Sequence, residues 1–146
     1  YQFSYSAEGY LTGIVENIDN TEYSSTSLTY ENGDITSISS KMNGLENKFI
    51  YEPGEESSTY HLPCLGLLEI HPLTFHIEAL YAGLLGKDPR HFTIRSCPAG
   101  SNDEKTIYSY EFDKKGNPSR MICQTTYAGG QANYYPYTRN ISVSFE

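Results

Sequence analysis

Four side chains that can bind zinc lie close together in the middle of the chain: His61, Cys64, His71 and His76. Imidazole nitrogens and thiolates are the usual ligands of tetrahedral zinc sites. Their spacing matches no compact zinc-finger pattern, and no second cysteine pair lies nearby. Histidines held within a core or a loop fit this spacing better, so we predict no metal and no cofactor.

Two glutamates in the same region, Glu69 and Glu78, are the carboxylates that a glycosidase could use. Such chemistry needs two carboxyl groups about 5–10 Å apart across a cleft. No aromatic platform lies nearby, which favours a solvated helix edge or cap. A hydrolase is the alternative function, and it requires two acidic or imidazole groups to converge in a cleft. Its candidates are Glu69, Glu78, His61, His71 and His76.

A group of tyrosines near the end of the chain is the candidate ligand-binding site. They flank Gly129-Gly130, and a basic residue follows them: Tyr127, Tyr134, Tyr135, Tyr137 and Arg139. Exposed tyrosine rings with polar neighbours can stack on sugars or hold peptides at low entropic cost. The alternative is that these rings cover a strand pair, and the absence of Trp weakens the sugar interpretation. We predict that these residues bind an unknown glycan, peptide or envelope protein.

The composition favours one acidic, β-rich domain. The chain has 146 residues, which predicts a single domain over residues 1–146 with a real core. Its formal net charge is -8 and its ten basic residues are scattered, so we predict no nucleic-acid partner. Cys64, Cys97 and Cys123 cannot all pair within the chain, and buried thiols fit better than a disulfide scaffold.

The elements that must position these residues are mostly strands. Tyr1 to Ser6 alternates between aromatic and polar residues, which is the two-residue period of a half-buried strand. Three times, an aromatic residue is followed by a tight glycine turn and then by Thr or Ser among apolar residues. Asn32-Gly33 is a favoured type I′ hairpin pair, whereas the composition of residues 53–58 is typical of a loop.

One apolar segment has helical rather than strand spacing. Pro72 suits a first helical turn, apolar residues recur from Leu73 to Leu84, and Gly86 is a natural stop. We therefore predict a helix from Pro72 to Leu85. Polar residues and prolines interrupt it before the roughly 20 apolar residues that a bilayer requires, so we predict no membrane-spanning segment. The predicted fold is mainly β, a curved antiparallel meander or partly closed barrel of about nine strands wrapped around one central helix.

Several motifs, taken together, resemble a known family. They occupy residues 8–12, 30–38, 82–87 and 108–118, and they read EGYLT, YENGDITSI, AGLLGK and YSYEFDKKGNP. Their order resembles an uncharacterised domain family of exported and lipoprotein-like proteins from gut Bacteroidetes, with a porin-like β fold. Single motifs also resemble the tyrosine-aspartate (YD) repeats of Rhs-type shells. The resemblance implies an exported domain in the periplasm or at the cell surface, compatible with a lipid anchor upstream of Tyr1, and it supplies no catalytic residues.

The function predicted from these observations is that of a non-enzymatic, exported cell-envelope domain that binds a ligand or partner or serves a structural role. One alternative is a hydrolase acting on an envelope or glycan substrate. Another is a carrier of lipid or another hydrophobic ligand, which would require an empty apolar cavity between sheet and helix.

Overall fold

Nine β-strands make up the fold of the described residues. The computed structural model describes residues 1–57, 79, 82–101, 103–116, 118–127 and 136–142, with backbone only at residues 137, 139, 141 and 142. The strands are β1 (Gln2–Tyr5), β2 (Leu11–Ile18), β3 (Thr21–Glu31), β4 (Asp34–Met42), β5 (Leu45–Ser57), β6 (His91–Pro98), β7 (Glu104–Phe112), β8 (Pro118–Tyr127) and β9 (Tyr137–Ser142).

The strands form one open antiparallel sheet. Their order in the sheet is their order in the chain, from β1 to β9, and each strand pairs antiparallel with the next. The predicted β-rich antiparallel meander is therefore confirmed. The predicted partial closure into a barrel is wrong for the described residues, because β1 and β9 are the two edges of the sheet and do not pair with each other.

Tight two-residue turns join β2 to β3, β3 to β4 and β4 to β5. The pairs Asp19-Asn20, Asn32-Gly33 and Asn43-Gly44 all have positive φ angles, for example 53° at Asn32 and 89° at Gly33. Positive φ at both central residues is the geometry of a type I′ turn, whose twist matches that of antiparallel strands. The hairpin predicted at Asn32-Gly33 is confirmed, and it fixes the register of β3 and β4.

Two β-bulges place extra apolar residues on the buried face. On β4, the pairing to β3 skips Thr36, so Ile35 and Ile38 belong to the same buried cluster although they are three residues apart. On β2, the pairing to β1 skips Thr12 in the same way, and Leu11 joins that cluster. An extra residue in one strand reverses the alternation of side chains beyond it, so both bulges concentrate apolar side chains near the β3–β4 turn.

Most of the buried apolar residues in the described part of the chain fall into two groups along the sheet. The larger consists of Leu11, Leu28, Ile35, Ile38, Tyr51, Ala79 and Leu85, with Phe3, Ile14, Tyr30 and Phe49 packed against it. The smaller consists of Tyr108, Met121 and Cys123, with Tyr110 beside it. The first group spans β1 to β5 and includes Ala79 and Leu85, which precede β6 and pack against the sheet.

The central helix predicted from Pro72 to Leu85 is not supported by the described residues. Its residues 72–78, 80 and 81 lie outside them, and residues 82–85 form a turn. In that turn the Leu84 N–H donates to the Ala79 carbonyl at 2.9 Å, and Gly83 has a φ of 71°. The prediction that the helix continues to Leu85 is therefore wrong, because a positive φ at Gly83 is incompatible with right-handed helix.

The loop predicted at residues 53–58 is also wrong up to Ser57, because β5 continues to that residue. Pro53 pairs with Thr93 at a register shift, where the missing N–H of proline is tolerated. A Cβ on Gly54 would lie 2.6 Å from Cγ2 of Ile94. Pro53 and Gly54, which indicated a loop, thus both fit within β5. The irregular register accommodates Pro53, and the missing Cβ of Gly54 lets Ile94 approach closely.

Candidate functional site

The predicted tyrosine site lies on the last two described strands. Tyr127 ends β8 with a half-buried side chain. Tyr137 begins β9, and both it and Arg139 pair through the backbone with buried residues of β8. Tyr134 and Tyr135 lie outside the described residues. Part of the predicted set is therefore on neighbouring strands, and its binding role stays a prediction.

The residues considered as metal ligands, and those of the alternative hydrolase, lie outside the described residues. They are His61, Cys64, Glu69, His71, His76 and Glu78. Within the part of the chain that the structure describes, no three His, Cys, Asp or Glu side chains form a group that could hold a metal ion. The Cys123 thiol is completely buried and Cys97 is half-buried, as expected for thiols in a core.

A pocket at one end of the sheet, here called the end groove, is the site that the geometry offers instead. Because β1, β3 and β5 run in the same direction, the β1–β2 turn, the β3–β4 turn and the end of β5 lie at this same end. The end groove has a volume of about 1090 Å³. Its lining residues are Ser6, Glu8, Tyr10, Thr12, Leu28, Tyr30, Asn32, Gly33, Ser57, Gly86, Lys87, Asp88, Pro89 and Arg90.

Backbone hydrogen bonds hold residues 86–90 against both turns. Gly86 forms an isolated β-bridge with Tyr10, and the Lys87 N–H donates to the Gly9 carbonyl at 2.8 Å. The Arg90 N–H donates to the Gly33 carbonyl at 2.9 Å. These bonds cross long stretches of sequence and satisfy the polar backbone of an otherwise irregular segment. They give the end groove a fixed third wall.

An aspartate–histidine pair fastens the same segment to the β3–β4 turn. Asp34 is 7% exposed, and its Oδ1 accepts the backbone N–H of His91 at 2.7 Å. Its Oδ2 lies 2.8 Å from Nδ1 of His91. A buried carboxylate with both oxygens in hydrogen bonds is costly to disrupt, because the remaining donors would lose their partner. The pair therefore positions Arg90 and the start of β6.

Two tyrosine rings form the aromatic wall of the end groove. Tyr10 and Tyr30 have ring centroids 4.9 Å apart and planes tilted by 32°. Such a pair contributes about 0.5–1.5 kcal/mol beyond its buried area. Nζ of Lys87 lies 4.9 Å from the centroid of the Tyr10 ring, within range of a cation–π contact. A Cβ on Gly33 would lie 2.8 Å from the Tyr10 hydroxyl, so this glycine makes room for the ring.

The charged side chains of the end groove balance one another. Glu8 and Asp88 supply two negative charges, and Lys87 and Arg90 supply two positive ones. A hydrogen bond with the Ser6 side chain lowers the pKa of the Glu8 carboxyl, and its own backbone and the charge of Lys87 lower it further. Glu8 is therefore ionised at neutral pH beside a cation.

The sequence contained the parts of this groove without showing that they meet. The segments EGYLT and YENGD predicted hairpins, and residues 83–87 predicted the end of a helix. The signal that could have identified the groove is topological. In an antiparallel meander every second turn lies at the same end of the sheet, and Tyr10 and Tyr30 both adjoin such turns.

The comparisons with known proteins indicate a porin-like fold. A family described as "Domain of unknown function (DUF4595) with porin-like fold" matches residues 1–120. The chain is similar to a porin-like protein from Bacteroides uniformis ATCC 8492, whose crystal structure at 2.32 Å resolution matches with a TM-score of 0.81 and 26% sequence identity. That match covers 100% of this chain but 59% of the other, so this chain spans about three-fifths of that relative's length. No curated protein matches the chain.

Among the described residues, no helix has the length and the apolar content needed to cross a membrane. The resemblance to a family of unknown function with a porin-like fold is confirmed by the match over most of the chain. The chain belongs to the family of domains of unknown function with porin-like fold, DUF4595.

Proposed function

We propose that this domain is a non-enzymatic, exported component of the cell envelope that binds a ligand in the end groove. The observation that carries the proposal is the combination of two tyrosine rings with balanced charges in a pocket of about 1090 Å³. Small-molecule sites are usually concave and preformed, with apolar walls and a few placed polar groups. The backbone bonds from Lys87 and Arg90 supply the preformed wall.

The location in the envelope rests on the family. A porin-like fold describes both the family and the similar protein from Bacteroides uniformis. Export to the periplasm or the cell surface, with or without a lipid anchor, is proposed on that basis. Fractionation of cells that carry the native full-length protein tests it, and recovery of the protein in the cytoplasmic fraction would contradict it.

The C-terminal tyrosines remain a second proposed binding surface, for a glycan, a peptide or an envelope protein. Tyr127 and Tyr137 lie on adjacent strands, which supports a shared surface. A hydrophobic carrier is less well supported, because the lining of the end groove includes four charged side chains. A long acyl chain would remove water from these groups without replacing their hydrogen bonds.

Calorimetric titration with a panel of glycans and peptides tests the end groove. Tyr30→Ala should weaken binding at least tenfold, because it removes half of the aromatic wall. Tyr23→Ala is the matched control, since Tyr23 lies on the same strand, is 41% exposed and does not line the groove. Tyr127→Ala should leave binding unchanged.

Equal effects of the Tyr30 and Tyr23 substitutions would contradict binding in the end groove. A loss of binding only in Tyr127→Ala would assign the ligand to the C-terminal tyrosines. A panel without any binding would favour a structural role for the domain.

A further inference from the structure

We infer that the ligand of the end groove is a neutral oligosaccharide, an inference that rests on the proposed binding function and specifies its ligand class. The charge of the lining supports this ligand class. The chain as a whole has a formal net charge of -8, whereas the described lining of the end groove has two acidic and two basic side chains. An anionic ligand is recognised by a surplus of Lys and Arg, and a cationic ligand by a surplus of carboxylates. This lining has neither surplus.

The cation nearest the aromatic wall already has a partner. The Lys87 ammonium lies 4.9 Å from the centre of the Tyr10 ring, and its charge is a minor contribution to the lowered pKa of Glu8. An acidic ligand would have to draw this cation away from the ring. A neutral ligand can accept hydrogen bonds from the ammonium while the contact with the ring persists.

The lining combines aromatic and polar side chains. Tyr10 and Tyr30 contribute half-buried rings, and Thr12 and Ser57 contribute side chains with hydroxyls. A pyranose has a face of C–H groups that packs on an aromatic ring and a rim of hydroxyls that both donate and accept hydrogen bonds. A wholly apolar ligand would bury these hydroxyls without partners.

Hydrogen bonding of the backbone argues against an extended peptide. Peptides that bind at sheets usually pair with unoccupied backbone N–H and carbonyl groups. In the end groove, the Lys87 N–H and the Arg90 N–H already donate to the Gly9 and Gly33 carbonyls. These two backbone donors are therefore not available to pair with a peptide.

The size of the end groove indicates several sugar units. Small-molecule sites typically have volumes of about 300–1,000 Å³, and the end groove has about 1090 Å³. One sugar ring would leave much of this volume to water, and a chain of rings would contact the tyrosines and the polar wall together. The probes for a test are therefore hexasaccharides.

The test compares three classes of probe on the same protein by calorimetric titration. These are neutral hexasaccharides of glucose, mannose, galactose and xylose, hexagalacturonate as an acidic saccharide, and one acidic and one basic hexapeptide. At least one neutral hexasaccharide should bind ten times more tightly than hexagalacturonate and both peptides. Its affinity should change less than twofold between low and high salt, because no net charge is neutralised.

Two variants keep the test independent of folding. Tyr30→Ala should weaken binding of the neutral hexasaccharide at least tenfold, whereas Tyr23→Ala should leave it unchanged. Because Tyr30 also packs against the larger buried cluster, Asn32→Asp serves as a second variant. Aspartate tolerates the positive φ of 53° at this position, so the turn persists while the amide donors are lost and a negative charge is added. Asn32→Asp should weaken binding of the neutral hexasaccharide at least threefold.

The outcomes separate the two levels of the proposal. If hexagalacturonate or a peptide binds as tightly as every neutral probe, with a tenfold loss in Tyr30→Ala, the end groove binds ligands but the assigned class is wrong. If the neutral probe binds equally to wild type, Tyr30→Ala and Asn32→Asp, the class is assigned to the wrong site. If no probe binds, both the proposed function and this inference are overturned.

Discussion

Two glycines on either side of Leu85 test whether residues 82–90 pack against the β1–β2 turn. Gly83 and Gly86 have nearly the same backbone conformation, with φ angles of 71° and 69°. Alanine in the left-handed region costs about 1–2 kcal/mol. A Cβ on Gly83 meets nothing within 4 Å, so Gly83→Ala should lower the free energy of unfolding by this conformational cost alone.

Gly86→Ala should cost more, because its Cβ would meet the backbone of the turn. The Cβ would lie 2.7 Å from the Gly9 carbonyl oxygen and 3.0 Å from the Leu11 nitrogen, and neither atom can rotate away. Relief of this clash separates the segment from the turn and breaks the hydrogen bond from Lys87 to Gly9. A hydrogen bond contributes about 0.5–1.5 kcal/mol, and the burial of Leu85 is weakened as well.

Adding these effects predicts a loss of about 2–4 kcal/mol for Gly86→Ala and about 1–2 kcal/mol for Gly83→Ala. For a chain of this size, each kcal/mol lowers Tm by roughly 2–4 °C. Urea unfolding followed by far-UV circular dichroism measures the free energies, and Gly83→Ala is the matched control. Equal losses in the two variants would refute the packing of the segment on the β1–β2 turn.

Three further predictions concern buried and charged groups. Asp34→Ala should lower the free energy of unfolding by about 1–3 kcal/mol, because both His91 donors lose their acceptor; a loss below about 0.5 kcal/mol would contradict the fastening role. The fully buried Cys123 thiol should react with maleimide only on unfolding, whereas the half-buried thiol of Cys97 should react in the folded state. Equal reaction rates of the two thiols would disprove the burial of Cys123. The Glu8 carboxyl should titrate below its usual range in ¹³C NMR, and Ser6→Ala should raise this pKa. Because the folded-state pKa is lowered, the contribution of Glu8 to stability is present above the unfolded pKa and is lost as the pH falls through the folded pKa. An unchanged titration in Ser6→Ala would show that the Ser6 hydrogen bond does not lower the pKa.

Hairpins could be predicted from the sequence where local chemistry determines the backbone. Asn32-Gly33 adopts the positive φ angles that these residue types favour. The strand predicted from the alternation between Tyr1 and Ser6 corresponds to β1, which spans Gln2–Tyr5. In both places the alternation of side chains and the turn residues indicate the same structure, so no distant contact has to be known.

Structure that depends on distant contacts could not be predicted in this way. Pro53 and Gly54 are loop formers by local preference, yet β5 continues through them because β6 pairs irregularly there and Ile94 needs the space at Gly54. The apolar spacing around Leu85 indicated a helix, whereas the residue is buried in a turn against the sheet. An apolar residue that a turn buries against the sheet can have the same spacing from its apolar neighbours as one that a helix buries.

The end groove was missed for the same reason. Its tyrosines are twenty residues apart, and Lys87 reaches them only through hydrogen bonds between distant segments. The sequence singled out the tyrosines around Gly129-Gly130 because they are close together in the chain. Closeness in sequence is a poor guide in a meander, where residues of alternate turns meet at one end of the sheet.

The most direct test of ligand binding in the end groove is a map of amide chemical shifts in ¹⁵N–¹H NMR during titration with the neutral hexasaccharide that binds most tightly. If the ligand binds in the end groove, the largest changes should occur at the amides of Gly9, Gly33 and Lys87, with little change along β8 and β9. Changes concentrated at Tyr127 and along β9, with none at the β1–β2 and β3–β4 turns, would contradict it.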